Sequence, residues 1–121
     1  MVKTLAEAEG LRATFMPKPF SHLSGNGCHA HVSLWDAAKN ENLFHDRNGE
    51  LGLSRLAYQF MAGVLHHAEA LCAITNPTVN SFKRINGAST LSGSTWSPNT
   101  ISYSGNNRTH MIRIPDRKSV V

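Results

Sequence analysis

The strongest hydrophobic pattern of the chain lies between residues 53 and 72. Apolar side chains recur there every three or four positions, so they would share one face of an α-helix. The pattern predicts one long amphipathic helix that supplies most of the core. Its apolar stripe consists of Leu53, Leu56, Ala57, Phe60, Val64, Leu65, Ala68 and Leu71.

A different pattern, of period two, covers residues 28–35. The even positions there are apolar, whereas the odd positions carry His29, His31 and Ser33. Successive side chains of a strand point to opposite faces, so the pattern predicts a strand with one polar face. That face is either a binding site or the ordinary solvated side of an edge strand.

Weaker signals predict the remaining elements. A helix is expected over residues 2–9 with Gly10 as its left-handed cap, and short strands over residues 11–16, 100–103 and 110–114. One long helix, part of another and several short strands indicate an α+β fold. The core would be thin, which is typical of a piece of a larger domain.

Charge and composition narrow the class of protein. The 121 residues include 12 Lys and Arg against 8 Asp and Glu, a net charge of +4. The basic residues are dispersed, which argues against a nucleic-acid partner. A modest positive charge also suits a small anionic ligand. No apolar run is long enough to cross a membrane and the N-terminus lacks a signal-peptide core, so we expect a cytoplasmic protein. Cys28 and Cys72 are widely spaced and are expected to be reduced thiols.

The second half of the chain concentrates fixed positive charge. Arg84, Arg108 and Arg113 lie in a stretch, from Glu69 to Asp116, that contains no acidic residue between its ends. The planar guanidinium suits carboxylate and phosphate groups, so the stretch predicts anion binding, with scattered surface arginines as the alternative. A straight strand would send Arg108 and Arg113 to opposite faces, so either Arg108 lies in a turn or the strand is bulged.

Three motifs in this order resemble the glutamine synthetase family. Lys18, Pro19 and Phe20 are followed by SGNGCH at residues 24–29 and by Ser33. The other two motifs are NPTVNSFKR at residues 76–84 and NRTHMIRIP at residues 107–115. The resemblance implies a fragment of the family's α+β catalytic domain, with antiparallel strands and flanking helices. Residues 1–115 would form this partial domain, and residues 116–121 a tail outside the family.

The resemblance also implies roles for individual residues on the substrate side. His29 matches a ligand of a divalent metal, Mg²⁺ or Mn²⁺. Gly25 matches a main-chain position that holds L-glutamate, and Arg84 matches the arginine that binds the glutamate carboxylate.

For the nucleotide, the resemblance implies that His31 and Ser33 contact ATP. Arg108 and Arg113 match arginines that hold the nucleotide phosphates and the transferring phosphoryl group, so Arg108 is the catalytic candidate. In this family ATP phosphorylates the side-chain carboxylate of glutamate, and ammonia then displaces phosphate to give glutamine. The family also implies a homo-oligomer with active sites between subunits.

Two departures from the family pattern modify this expectation. Residues 85–98 lack the glutamate that typical members carry near the ammonium site, which resembles type III ligases and γ-glutamylmethylamide synthetases. Methylamine or a polyamine is therefore an alternative acceptor to ammonia. The only acidic residues before His29 are Glu7 and Glu9, so the metal-binding carboxylates are missing and the chain alone is expected to be inactive. A stand-alone metal- or nucleotide-binding module is the alternative from another class.

Overall fold

In the computed structural model, residues 1–87 and 97–115 are described. The helices and strands within these ranges confirm an α+β fold. The helices are α1 (Val2–Ala8), α2 (Arg55–His66), α3 (Ala68–Thr75) and α4 (Val79–Ile85), with a 3₁₀ turn at Glu50–Gly52; the strands are β1 (Trp35–Asp36), β2 (Glu41–Asn42), β3 (Tyr103–Ser104) and β4 (Ile112–Arg113).

The long helix predicted over residues 53–72 is interrupted. α2 begins after Ser54, whose side chain accepts a hydrogen bond from the amide of Ala57, and it ends at His66. His67 leaves helical geometry with φ −97° and ψ 10°, and α3 follows directly. Glycine and histidine are weak helix formers, so Gly63 and the two adjacent histidines account for a break that apolar spacing does not reveal.

The N-terminal helix agrees with the prediction. α1 ends one residue earlier than expected, and Gly10 has a φ of +71°, the left-handed conformation that glycine adopts without strain. The strand predicted over residues 11–16 is wrong, because this segment pairs with no other strand in the described parts of the chain.

The strand predicted over residues 28–35 is also wrong for most of its length. Only Trp35–Asp36 is paired, antiparallel to Glu41–Asn42, while residues 28–34 are irregular and exposed. A strand exists only where a neighbour supplies main-chain hydrogen bonds. Within the described ranges, residues 28–34 receive one such bond from another segment, from the amide of Leu43 to the carbonyl of Leu34 at 2.8 Å, next to the paired residues. Alternation in the sequence cannot establish that such a neighbour is present.

The two strands near the C-terminus are shorter than predicted. Tyr103–Ser104 and Ile112–Arg113 pair in parallel, with Tyr103 opposite Ile112, so this ladder departs from the antiparallel arrangement that the resemblance implies, whereas β1 and β2 agree with it. The ring of Tyr58 on α2 meets the ring of Tyr103 edge to face at 6.3 Å between centroids, which packs the helix against this ladder.

α4 is a helix that the sequence patterns missed, because its region is rich in Asn, Ser and Thr. Its start is stabilised by Thr78, whose hydroxyl accepts a hydrogen bond of 3.2 Å from the amide of Ser81. A threonine after Pro77 is a recognisable helix start, so this signal could have located the element.

The core is thin, as predicted. Ala57, Met61 and Ala68 are the buried hydrophobic residues of the described ranges, whereas Leu56 and Phe60 of the predicted stripe are exposed. The chain exposes 9659 Å² of surface, against about 6,400 Å² expected for a folded monomer of 13.2 kDa. No helix in the described ranges has the length and apolar character needed to span a bilayer.

Candidate functional site

The loop at residues 24–27, here called the glycine loop, is pinned to the segment that precedes it. The main-chain amide of Asn26 donates to the carbonyl of Pro17 at 2.8 Å, and its side-chain amide donates to the carbonyl of Met16 at 2.7 Å. These two bonds fold the loop back over residues 16 and 17. The central residue of the GNG sequence therefore fixes the loop rather than facing a ligand.

The same preceding segment is fixed to α4. The amide of Lys18 donates to Oδ1 of Asn80 at 2.6 Å, and Nδ2 of Asn80 donates back to the carbonyl of Lys18 at 2.9 Å. This reciprocal pair joins two parts of the chain that are far apart in sequence. It brings the glycine loop over the helix that carries Arg84.

The guanidinium of Arg84 lies directly against the glycine loop. A Cβ atom built on Gly27 would lie 2.8 Å from Nη2 of Arg84, and one built on Gly25 would lie 3.1 Å from Cδ of Arg84 and too close to the carbonyl oxygen of Pro17. Both distances to Arg84 are shorter than ordinary contacts with a side-chain carbon. The two glycines are therefore needed for the close approach of the arginine, and the structure brings Gly25 and Arg84 together.

Most of the hydrogen-bonding capacity of Arg84 is uncommitted. Nη1 donates to the hydroxyl of Ser97 at 3.3 Å, while Nε is buried and has no acceptor among the described residues. A buried donor without an acceptor costs about 1–3 kcal/mol. No carboxylate in the described ranges pairs with this guanidinium. A half-buried cation with free donors is suited to an external carboxylate or phosphate.

His29 lies close to the same part of the glycine loop. Its ring Nε2 would be 3.7 Å from the Cβ position of Gly27 that Arg84 also approaches, so the imidazole and the guanidinium converge on one glycine. The described ranges contain no group of three His, Cys, Asp or Glu side chains that could hold a metal ion. Mg²⁺ prefers several oxygen ligands, so these residues by themselves do not fit a divalent metal.

His31 and Ser33, the nucleotide candidates, are exposed beyond His29. The hydroxyl of Ser33 accepts a hydrogen bond of 3.0 Å from Nε1 of Trp35. Because residues 28–34 form no paired strand, these two side chains are not held on a common sheet face. No hydrogen bond joins them to Arg84 in the described parts of the chain.

Arg108 and Arg113 belong to a separate loop. Arg108 lies exposed in a turn between β3 and β4, and Arg113 lies half-buried in β4 with Nη1 donating to Oδ1 of Asn106 at 2.9 Å. The spacing of these arginines is thus explained by the turn and not by a bulge. A hydrogen bond of 2.9 Å between Ser102 Oγ and His110 Nδ1 closes the base of the loop.

Several residues of the site were not candidates from the sequence. The surroundings of Arg84 are formed by Gly27, Asn80 and the buried Ser97. Of these, Gly27 could have been identified from the sequence, because the glycine repeats in the GNG motif. Residues 88–96, within the acceptor-related segment, and the predicted tail at residues 116–121 lie outside the described residues.

Comparison with known proteins gives consistent matches along the chain. A family model described as the glutamine synthetase catalytic domain matches residues 1–120. A glutamine synthetase of Rhizobium meliloti (strain 1021) is 59% identical over 115 residues, which cover 95% of this chain and 26% of the relative. One of Rhizobium leguminosarum bv. phaseoli is 61% identical over 115 residues, again 95% of this chain and 26% of the relative.

A relative named for a different acceptor also matches. The glutamate–methylamine ligase of Methyloversatilis universalis is 50% identical over 113 residues, which cover 92% of this chain and 25% of the relative. The chain thus spans about a quarter of the length of the curated relatives it matches. The match to the family model over nearly the whole chain shows that this chain belongs to the glutamine synthetase catalytic-domain family.

Proposed function

We propose that this chain forms part of the active site of an ATP-dependent ligase that joins ammonia to the side-chain carboxylate of L-glutamate. The observation that carries the proposal is the guanidinium of Arg84, held against Gly25 and Gly27 with donors uncommitted. The glutamine synthetases among its relatives support the same activity. Soluble, cytoplasmic and homo-oligomeric organisation is part of the proposal by the same similarity.

Glutamate would bind beside the contact between the glycine loop and the guanidinium of Arg84. Arg84 presents a planar fork that matches a carboxylate, and main-chain groups at Gly25 come close to the ligand because no Cβ intervenes. A carboxylate in this position would supply the acceptor that the arginine lacks. The pair would therefore fix the substrate and orient its reacting end.

ATP would be bound by His31, Ser33, Arg108 and Arg113. An oxygen of the glutamate side-chain carboxylate attacks the terminal phosphorus of ATP and ADP leaves, giving γ-glutamyl phosphate. The nitrogen of ammonia then attacks the acyl carbon, phosphate leaves and one proton is lost. Charge develops on oxygen in the first step, so positioned arginines lower its barrier, and Arg108 is the catalytic candidate.

Family membership implies the use of a divalent metal, which would neutralise phosphate charge during transfer. In our proposal His29 is the imidazole ligand that this chain contributes. Oxygen ligands would have to come from outside the described residues.

The experiment uses the complete ligase that carries this segment and follows release of phosphate from ATP with glutamate and ammonia. We compare Arg84→Lys with Arg47→Lys, an exposed arginine in the turn before the 3₁₀ segment. A lysine cannot reproduce the bidentate fork, so the KM for glutamate should rise about 10- to 100-fold in the first variant only. Absence of glutamate-dependent phosphate release by the unmodified enzyme would reject the proposal.

A second acceptor is supported by one finding, the similarity to a relative named glutamate–methylamine ligase. In that alternative the same γ-glutamyl phosphate is attacked by methylamine, or by a larger amine such as a polyamine. Measuring kcat/KM of the complete enzyme for ammonia, methylamine and a polyamine distinguishes the possibilities. A higher kcat/KM for methylamine or the polyamine than for ammonia would identify the enzyme as a γ-glutamyl ligase for that amine.

A further inference from the structure

Lys18 is buried although lysine is rarely enclosed in proteins. Only 8% of the residue is exposed, and its ammonium donates to the main-chain carbonyl of Leu23, just before the glycine loop. Its aliphatic stem passes the end of α4, since a Cβ atom built on Gly87 would lie 3.6 Å from Cε of Lys18. The charge that a nucleotide-binding motif would be expected to offer to phosphate is thus directed at the protein main chain.

The main chain of Lys18 is fixed as firmly as its side chain. Its amide and carbonyl form the reciprocal pair with Asn80, at 2.6 and 2.9 Å. Asn80 and Arg84 are four residues apart on α4, so they lie on the same face of the helix. The connection from Leu23 through Lys18 to Asn80 therefore ends one helical turn from the guanidinium.

The glycine loop and Arg84 meet with little clearance. The 2.8 Å between Nη2 of Arg84 and the Cβ position of Gly27 leaves no space for a closer approach. Binding constellations lose function when their parts move by more than about 0.5 Å. This contact limits only how closely the loop and α4 approach, so other bonds must keep them from moving apart.

We propose that Lys18 and Asn80 are positioning residues that set this separation, and that Lys18 does not contact ATP or glutamate. The inference rests on the proposed function, because it assumes that Arg84 binds glutamate. Without the ammonium of Lys18, the carbonyl of Leu23 loses its donor and the approach to the glycine loop is released from α4. The glutamate site then loses its geometry, while the exposed side chains assigned to ATP are unaffected.

The test compares Lys18→Met with Lys83→Met in the complete ligase. Methionine keeps the stem of lysine without its charge, and Lys83 is an exposed residue of α4 whose side chain forms no hydrogen bond within the described ranges. In Lys18→Met the KM for glutamate should rise at least about tenfold, the loss expected for one charged hydrogen bond between Arg84 and its substrate. The KM for ATP should stay within about twofold, as should both constants in Lys83→Met.

Two outcomes overturn the assignment. A selective rise in the KM for ATP would make Lys18 a phosphate ligand. Unchanged KM values with a lowered melting temperature would give it a purely structural role. If Lys18→Met does not fold, Asn80→Asp takes its place in the test. This variant retains the acceptor for the Lys18 amide and removes the donor to the Lys18 carbonyl. Asn80→Asp should show the same selective effect on glutamate, and an effect on neither KM would refute the proposal.

Hydrogen exchange separates this inference from the proposed function. The amide of Asn26, which donates to the carbonyl of Pro17 at 2.8 Å, should exchange faster in Lys18→Met than in Lys83→Met, whether or not the enzyme acts on glutamate. An unmodified enzyme without glutamate-dependent phosphate release would reject the function alone. Equal exchange in the two variants would reject the positioning role.

Discussion

Gly27→Ala is the substitution that most directly tests the proposed glutamate site. Gly27 does not adopt a positive φ, so its main chain can carry a side chain without strain. The added Cβ would nevertheless lie 2.8 Å from Nη2 and 3.4 Å from Cζ of Arg84. The atoms it meets are the far end of a flexible side chain, so the guanidinium should move while the main chain stays in place.

The expected effect is large on binding and small on stability. Hydrogen bonds to a charged group contribute about 1.5–3 kcal/mol, so loss of one such bond to glutamate corresponds to about a 10- to 150-fold rise in KM. Folding should change by less than about 1 kcal/mol, because Arg84 is only half-buried and has one hydrogen bond to lose, the 3.3 Å bond to Ser97.

Steady-state kinetics of the complete ligase measure the KM for glutamate, and thermal unfolding measures the change in stability. Gly63→Ala serves as the matched control, because no atom outside its own helix lies within 4 Å of the added Cβ. It should raise stability by up to about 1 kcal/mol and leave both KM values unchanged, as alanine favours a helix interior. A KM for glutamate within twofold of the unmodified enzyme in Gly27→Ala would refute the assignment of this site.

Three further predictions follow from the same structure. Gly25→Ala should destabilise the enzyme by about 1–3 kcal/mol in thermal unfolding, because its Cβ meets the main-chain carbonyl of Pro17 and no side-chain rotation relieves the clash; a melting temperature equal to that of Gly27→Ala would contradict this. The purified 121-residue chain should release no phosphate from ATP with glutamate, ammonia and Mg²⁺, because its described residues contain no group of three metal ligands. Phosphate release above background would contradict this prediction. Burial raises the pKa of the Tyr58 phenol above 10.0, and the charges of Glu50 and Tyr103 add to the effect, so the stability that the neutral phenol contributes is present below pH 10 and is lost as pH rises through the raised pKa. The difference between the ultraviolet titrations of the unmodified enzyme and Tyr58→Phe should have its midpoint above pH 10.0, and a midpoint at or below pH 10.0 would disprove the prediction.

The elements that were predicted correctly from the sequence are those with a local physical cause. α1 and its Gly10 cap, and the helical character of α2, follow from spacing and backbone preference within a few residues. The break at His67 was missed because the amide of Leu71 still bonds to the carbonyl of His67 at 2.9 Å, so the apolar spacing continues across it. A local pattern identifies a helix but not a small departure inside it.

The errors concern features that depend on distant parts of the chain. Residues 28–35 alternate as a strand should. In the described ranges, however, only the end of this segment meets a partner, and the strand is limited to Trp35–Asp36, paired with Glu41–Asn42. The contact between Gly25 and Arg84 likewise depends on the long-range pair of Lys18 and Asn80, which no periodicity encodes. The resemblance to a family suggested a shared substrate for Gly25 and Arg84, and the hydrogen bonds supply the physical reason for their contact.

The large exposed surface of the chain has a consequence for its behaviour in solution. The 9659 Å² of accessible area exceeds the expectation for a compact monomer by more than the roughly 1,600 Å² that a standard protein–protein interface buries. Exposed apolar side chains such as Phe15, Phe20 and Ile74 contribute to that surface. The free chain should therefore associate with itself as its concentration rises, and its sedimentation coefficient should depend on concentration.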